Sequence, residues 1–190
     1  MNFTYQSFQN KVYFGEDALG RIDDVIKELG GTRLFVIGGT RTADIVDKLT
    51  QSFGKQNVFP FTKVIQHVPK AMVDEALAFA RANESNLIIA IGGGSAIGLA
   101  KGMALIDRLP ILAVPTTYAG SEMTNIYGIS ADGVKTVGRD LIVLPSSVLY
   151  DPSLTRGMPL SLAATSSMGH TKLSVAGQLN PCQLSLLRLR

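Results

Sequence analysis

Gly92-Gly93-Gly94-Ser95, followed by Ala96-Ile97-Gly98-Leu99-Ala100-Lys101, is the segment of this chain best suited to chemistry. Three glycines let the backbone turn sharply and leave no Cβ between their amides and an incoming anion. The Ala- and Leu-rich stretch behind them reads as a helix. Its first-turn N–H groups would have no intrahelical partner and would lie at the positive end of the helix dipole. Such a start holds a diphosphate, and Ser95 can either cap the helix or donate to a phosphate oxygen. The spacing is not G-x-G-x-x-G and no G-K-[ST] triplet follows, so two common phosphate fingerprints are absent. A sharp turn beside a closely packed helix is the alternative. Lys101, almost two turns past Ser95, reads either as a solvated flank or as a phosphate contact.

A second segment, Val114-Pro115-Thr116-Thr117-Tyr118-Ala119-Gly120-Ser121-Glu122, is dense in hydroxyls. Thr116, Thr117, Tyr118 and Ser121 suit a ribose, an amide or a carboxylate, with a capped surface loop as the alternative. Thr40-Arg41 follows Gly38-Gly39 at a strand end where an adenosine ribose often sits. Arg41 suits a 2′-phosphate, whereas an acidic residue there would have suited the unphosphorylated ribose. His67 precedes Val68-Pro69 at a turn, and Lys135 either reaches a ribose hydroxyl or faces solvent. Asp132-Gly133 is a turn. His67 and His170 are the two histidines and Cys182 the single cysteine, with no H-x-x-x-H or H-E-x-x-H pair. No metal site is expected. No G-x-S-x-G elbow is present, and no residue stands out as a general acid, so the catalytic residues stay unassigned.

The elements that must position these groups alternate along the first 150 or so residues. Apolar runs at 33–37, 58–61, 87–91 and 111–114 read as buried strands. Between them, Leu19, Ile22, Val25, Ile26 and Leu29 share a helical face, as do Ile45, Val46, Leu49 and Phe53, and again Val73, Ala76, Leu77 and Ala80. A fourth helix is expected from Ser95 to about Ile106. Strands that are apolar throughout belong to a parallel sheet covered on both faces. The expected fold is therefore α/β, a doubly wound, mostly parallel, Rossmann-like sheet. Both hydroxyl- and glycine-bearing loops leave the C-terminal ends of successive strands, where ligands bind in such sheets. Pro60 argues that its strand is at an edge or short. The segment from Thr4 to Phe14 reads as a small hairpin beside the sheet, and the stretch from Thr116 to Lys135 as polar and glycine-rich. Asp151-Pro152-Ser153-Leu154 reads as a strand end running into a helix start. One domain, 1–165, is expected, followed by an atypical basic tail, 166–190, that is expected to be poorly ordered.

Hydrophobic residues make up 46% of the chain and charged residues 17%, enough apolar material for a sizeable core. The net charge of +3 comes from Lys172, Arg188 and Arg190 in the final twenty residues. The body is balanced, which argues against nucleic-acid binding. No apolar run approaches the roughly 20 residues that span a bilayer, and the N-terminus lacks the basic start and apolar block of a signal peptide. A cytoplasmic protein without membrane partners is the expectation.

The joined motifs Gly92-Gly93-Gly94-Ser95 through Lys101 and Pro115-Thr116-Thr117-Tyr118-Ala119-Gly120-Ser121-Glu122-Met123-Thr124 resemble the iron-containing (group III) alcohol dehydrogenase family. Tyr118-Ala119-Gly120, Gly133-Val134-Lys135-Thr136 and Leu149-Tyr150-Asp151-Pro152 are similar to its maleylacetate reductase branch. The resemblance implies an N-terminal NADH- or NADPH-binding domain and, ordinarily, a C-terminal helical one. It implies that Gly93, Gly94 and Ser95 hold the pyrophosphate and that Thr116, Thr117 and Tyr118 line the nicotinamide half, with Gly92 and Ser121 also in the cofactor site. Lys135 would lie by that ribose, His67 near the cofactor, and Thr40 with Arg41 at the adenosine end. The reaction it implies is reduction of the carbon–carbon double bond of maleylacetate, giving 3-oxoadipate in the breakdown of aromatic compounds. The branch generally works without metal.

After Ser166 the chain departs from the family. Ser167-Met168-Gly169-His170-Thr171-Lys172 stands where a G-[MI]-[DN]-A-x-x-H pattern would run, and no Asp or Asn precedes His170 at that spacing. The helical domain is expected to be missing, so full turnover on a small-molecule substrate is not expected from these residues alone. Self-association through the exposed cleft face is expected instead. A metal-dependent alcohol dehydrogenase fragment and a non-catalytic nucleotide-binding remnant are the alternatives.

Overall fold

The structure is a computed structural model that describes residues 10–64, 68–131, 133–156 and 158. Its strands are β1 (Lys11–Phe14), β2 (Leu34–Ile37), β3 (Val58–Phe61), β4 (Leu87–Gly92), β5 (Ile111–Pro115), β6 (Ile126–Ala131), β7 (Val134–Arg139) and β8 (Ser147–Tyr150). Its α-helices are α1 (Ile22–Glu28), α2 (Ala43–Phe53), α3 (Lys70–Ala82) and α4 (Gly94–Asp107). Six strands form a parallel sheet in the order β1-β8-β5-β4-β2-β3, while β6 and β7 form a separate antiparallel pair.

Alternation along the strands explains the two helical layers, because successive side chains point to opposite faces. Phe35, Ile37, Ile88 and Ala90 pack with α3 and α4 on one side. Leu34, Val36, Ile89 and Ile91 pack with α1 and α2 on the other. The doubly wound parallel sheet expected from the apolar strands is the one present. Pro60 lies in β3, at the edge of the sheet, where its missing N–H interrupts no second ladder.

One expectation is corrected. The described part of the opening segment is not a hairpin beside the sheet. As β1 it is the sheet's own edge strand, paired in parallel with β8 from Lys11↔Ser147 to Phe14↔Tyr150. None of its four residues is fully buried, which suits an edge, and its partner is far away in the sequence. Within the stretch read only as polar and glycine-rich, the structure adds a hairpin, with β6 and β7 pairing from Ile126↔Arg139 to Ala131↔Val134. The two residues between Ala131 and Val134 are Asp132 and Gly133, and Gly133 has φ +75°, as a tight hairpin turn requires.

The strand-to-helix reading at Asp151 holds. Asp151 is buried and caps a short 3-10 turn, Pro152–Thr155: its Oδ1 accepts from the Ser153 N–H at 2.9 Å and its Oδ2 from the Leu19 N–H at 3.1 Å. Burial alone would raise this carboxyl, but the hydrogen bonds from Ser153 and Leu19 and the charge of Arg156 outweigh it and leave the pKa lowered. Its stabilising contribution is therefore present above the ordinary aspartate range and is lost as pH falls through the depressed value. Asp151→Ala leaves two N–H groups without their acceptor and is expected to cost about 1–3 kcal/mol at neutral pH. The deficit should shrink in acid, and urea denaturation at two pH values checks both statements.

Candidate nucleotide-binding cleft

The chain winds outward from β2 to β3, then returns to β4 beside β2 and proceeds the other way to β5. The winding thus reverses between β2 and β4, and ligands of open α/β sheets bind at such a point, outside the strands' carboxyl ends. A cavity of about 680 Å³ opens there. Its walls are Gly38, Gly39 and Arg41 after β2, Gly92 to Ser95 after β4, and Thr116 and Thr117 after β5.

Helix α4 starts from Gly93 as N-cap, in an extended conformation and with no side-chain cap. Ser95 lies inside the first turn, so the capping alternative for it falls away and its side chain faces the cavity. The first-turn amides are left for an anion. Close packing explains the glycines. A Cβ on Gly92 would come 2.9 Å from the Ala96 Cβ, and one on Gly93 would come 3.0 Å from Thr117. The Thr116 N–H also donates to the Gly92 carbonyl at 3.0 Å, which ties the two loops together.

A second cavity of about 550 Å³ continues from the first past Gly94, Ser95 and Ala119. Ser121, Thr124, Tyr127, Lys135 and Val137 line its far side. Lys135, on the exposed β7, lies across Gly128, where an added Cβ would come 2.8 Å from its Cε.

Between the second cavity and the sheet lies Lys101, fully buried. Neither alternative read from the sequence applies, because it is neither a solvated flank nor a group aimed at the phosphate shelf. Its Nζ donates to the carbonyls of Ser121 (2.6 Å), Thr124 (2.6 Å) and Ile126 (2.8 Å), and to Thr124 Oγ1 (3.1 Å). The reason is helix α4 itself, apolar nearly all round and enclosed between the sheet and the hairpin. Glu122 is buried close by, with its Oε1 accepting from the Tyr150 hydroxyl at 2.7 Å.

Burial pushes the Lys101 pKa down to about 7, against the opposing pull of Glu122. Burial pushes the Glu122 carboxyl up, partly offset by the Tyr150 hydroxyl and the Lys101 charge. Between about pH 7 and the ordinary lysine range, the unfolded chain holds the Lys101 proton more tightly than the folded one. Stability contributed at this site therefore rises with pH across that window, by at most about 1.4 kcal/mol per pH unit. Lys101→Met should flatten the rise, which urea midpoints above neutrality measure.

The residues singled out in the sequence divide between the two cavities. Arg41, Gly92, Gly93, Thr116 and Thr117 line the first, Lys101, Ser121 and Lys135 the second, and Gly94 and Ser95 both. Thr40 is exposed and lines neither. Tyr118 also lines neither, and its hydroxyl donates to Thr155 Oγ1 at 3.4 Å. His67, His170 and the 166–190 tail lie outside the described residues. Sequence reasoning missed Thr42, whose Oγ1 accepts from the Gly39 N–H at 3.1 Å and so shapes the turn after β2. It also missed Thr124 and the role of Lys101. The glycine pair before Thr42 was a usable signal for the first of these; a lysine inside an otherwise apolar helix was the signal for the second.

Residues 9–152 match the model of the iron-containing alcohol dehydrogenase family. The chain belongs to that family. Among its relatives is a maleylacetate reductase of Pseudomonas knackmussii, 41% identical over 189 residues, which cover 100% of this chain and 54% of that protein. Two crystal structures share the fold. The maleylacetate reductase from Agrobacterium tumefaciens has a TM-score of 0.79 at 31% identity, over 87% of this chain and 47% of the other. The iron-containing alcohol dehydrogenase from Corynebacterium glutamicum has a TM-score of 0.80 at 36% identity, over 89% of this chain and 47% of the other. The chain thus spans about half the length of the relatives it matches.

The family's name implies iron, but the described residues do not fit one: among them no three His, Cys, Asp or Glu side chains come together. Among the described residues, no helix is long and apolar enough to cross a membrane.

Proposed function

We propose that this chain binds NADH or NADPH across the β2–β4 crevice and serves the reduction of maleylacetate to 3-oxoadipate. The observation that carries the reading is the uncapped, glycine-lined start of α4 opening into a cavity at the point where the winding reverses. Similarity to a maleylacetate reductase along the whole of this chain supports the choice of reaction.

The diphosphate would rest against the amides of Gly93, Gly94 and Ser95, and the adenosine end would lie toward Gly38, Gly39 and Arg41. The other half would then fall in the second cavity, with Ser121 and Lys135 in reach of its ribose. When bound, the reduced nicotinamide supplies a hydride to the substrate's double bond, which also takes up a proton. This chain's part is to bind and orient, and Thr116 and Thr117 close the first cavity over the shelf.

Fluorescence titration with NADH and NADPH tests the binding, and maleylacetate-dependent loss of NADH absorbance tests the reaction. Saturable binding with turnover supports both. Tight cofactor binding without substrate-dependent oxidation would leave a nucleotide-binding module and overturn the enzymatic reading. The likeness to the Corynebacterium glutamicum enzyme favours one second reading, a metal-dependent alcohol dehydrogenase. Bound iron or zinc together with alcohol oxidation would establish that reading in place of the first.

A further inference from the structure

We propose that Lys101 is a positioning residue for the nicotinamide half of a bound dinucleotide, acting by gathering the Ser121, Thr124 and Ile126 carbonyls into one wall of the second cavity. The inference rests on the dinucleotide reading of the cleft and adds to it a buried residue at the back of the second cavity that acts through the carbonyls it holds.

The geometry is that of a clamp. Three backbone carbonyls, two from the segment between β5 and β6 and one from Ile126 at the start of β6, converge on one Nζ at 2.6, 2.6 and 2.8 Å. An ammonium has three N–H donors and no acceptor, so it matches three carbonyls. Without it, three like dipoles would point into one buried spot with no donor between them. Thr124 tightens the cluster by donating its hydroxyl to the Ser121 carbonyl at 3.1 Å. Burying a charge is costly, and an apolar side chain of the same length would fill the space. What the ammonium adds is the gathering of those carbonyls.

The clamp acts on one side of the cleft. Ser121, Thr124, Ile126 and the adjoining Tyr127 line the second cavity, and none of them lines the first. The first is built from the residues after β2, β4 and β5, from Gly38 to Thr117, none of which Lys101 contacts through its Nζ. Lys101 and the Gly94-Ser95 shelf belong to one rigid helix, α4. The lysine therefore sets how far the Ser121–Tyr127 wall stands from the diphosphate position. A ligand confined to the adenine and diphosphate side should not sense the clamp, whereas a ligand that reaches past the shelf should.

Calorimetric titration of the full chain with ADP and with NADH, at a pH below 7 where Lys101 carries its proton, separates the two sides. In Lys101→Met, NADH affinity is expected to fall about tenfold or more, with ADP affinity within about twofold of the parent. Thr124→Val removes the hydroxyl and keeps the carbonyl, so it should produce the same split at smaller size, and it decides the matter if Lys101→Met does not fold. Equal losses for both ligands would mean a structural role only and would overturn the proposal, as would no loss for either. If the parent chain bound neither NADH nor ADP, the dinucleotide reading itself would fail. A parent that binds both, with variants showing no split, would remove the positioning role alone.

Discussion

Gly94→Leu is expected to lower the affinity for NADH and NADPH by about a hundredfold or more while leaving the fold in place. The structure separates this glycine from its neighbours. A Cβ on Gly94 would meet only the Ala119 Cβ, at 3.4 Å, an ordinary contact. The rest of a leucine side chain would project into the space that both cavities share at Gly94 and Ser95, where the diphosphate would lie. Leucine is also the better helix former, by somewhat under about 1 kcal/mol, so the melting temperature should hold or rise. Substitutions at Gly92 or Gly93 are less clean tests, because their added Cβ atoms would press on Ala96 or Thr117 and disturb the loops. Parent-like binding of both dinucleotides by Gly94→Leu would show that the anion site lies elsewhere.

The largest stability effect is expected in the middle of the sheet. Ile89 is fully buried in β4, with Val36 of β2 on one side and Leu112 of β5 on the other. Ile89→Ala removes most of a side chain where close-packed neighbours can collapse only partly, at a cost of about 2–5 kcal/mol. For a domain of this size that corresponds to a fall in Tm of roughly 10 °C. Because β4 carries the glycine shelf at its end, cofactor should restore part of the loss through mass action. Thermal melts with and without NADH test both halves. A cost below about 1 kcal/mol would contradict the central, doubly covered position of β4.

Burial explains what could be read from the residues. The strands from β2 to β5 are apolar along their whole length because helices cover both faces, and α2 shows its period clearly because only one of its faces is buried. Pro60 marked an edge because an edge strand can spare a donor. The glycine shelf was legible because anion binding and close packing both ask for the same small residues. Where the reading failed, the determinants were distant or exposed. β1 is short, and its partner β8 lies at the other end of the described chain. β6 and β7 are open to solvent over much of both faces, so no clean alternation advertises them, and the turn read at Asp132-Gly133 was not extended to the strands flanking it. Lys101 was misplaced because a charged side chain is ordinarily at the surface. Its burial follows from the helix being enclosed by a hairpin that had not been foreseen.

The pairing of β1 with β8 also bears on how the molecule assembles. In synthesis β1 emerges well before β8, but its place in the sheet does not exist until β8 has been made and has docked on β5. Nearly the whole parallel layer can form in the meantime from neighbouring strand–helix units. The opening strand must wait unpaired through that interval, and seating it is a late, long-range closure of the kind that slows folding.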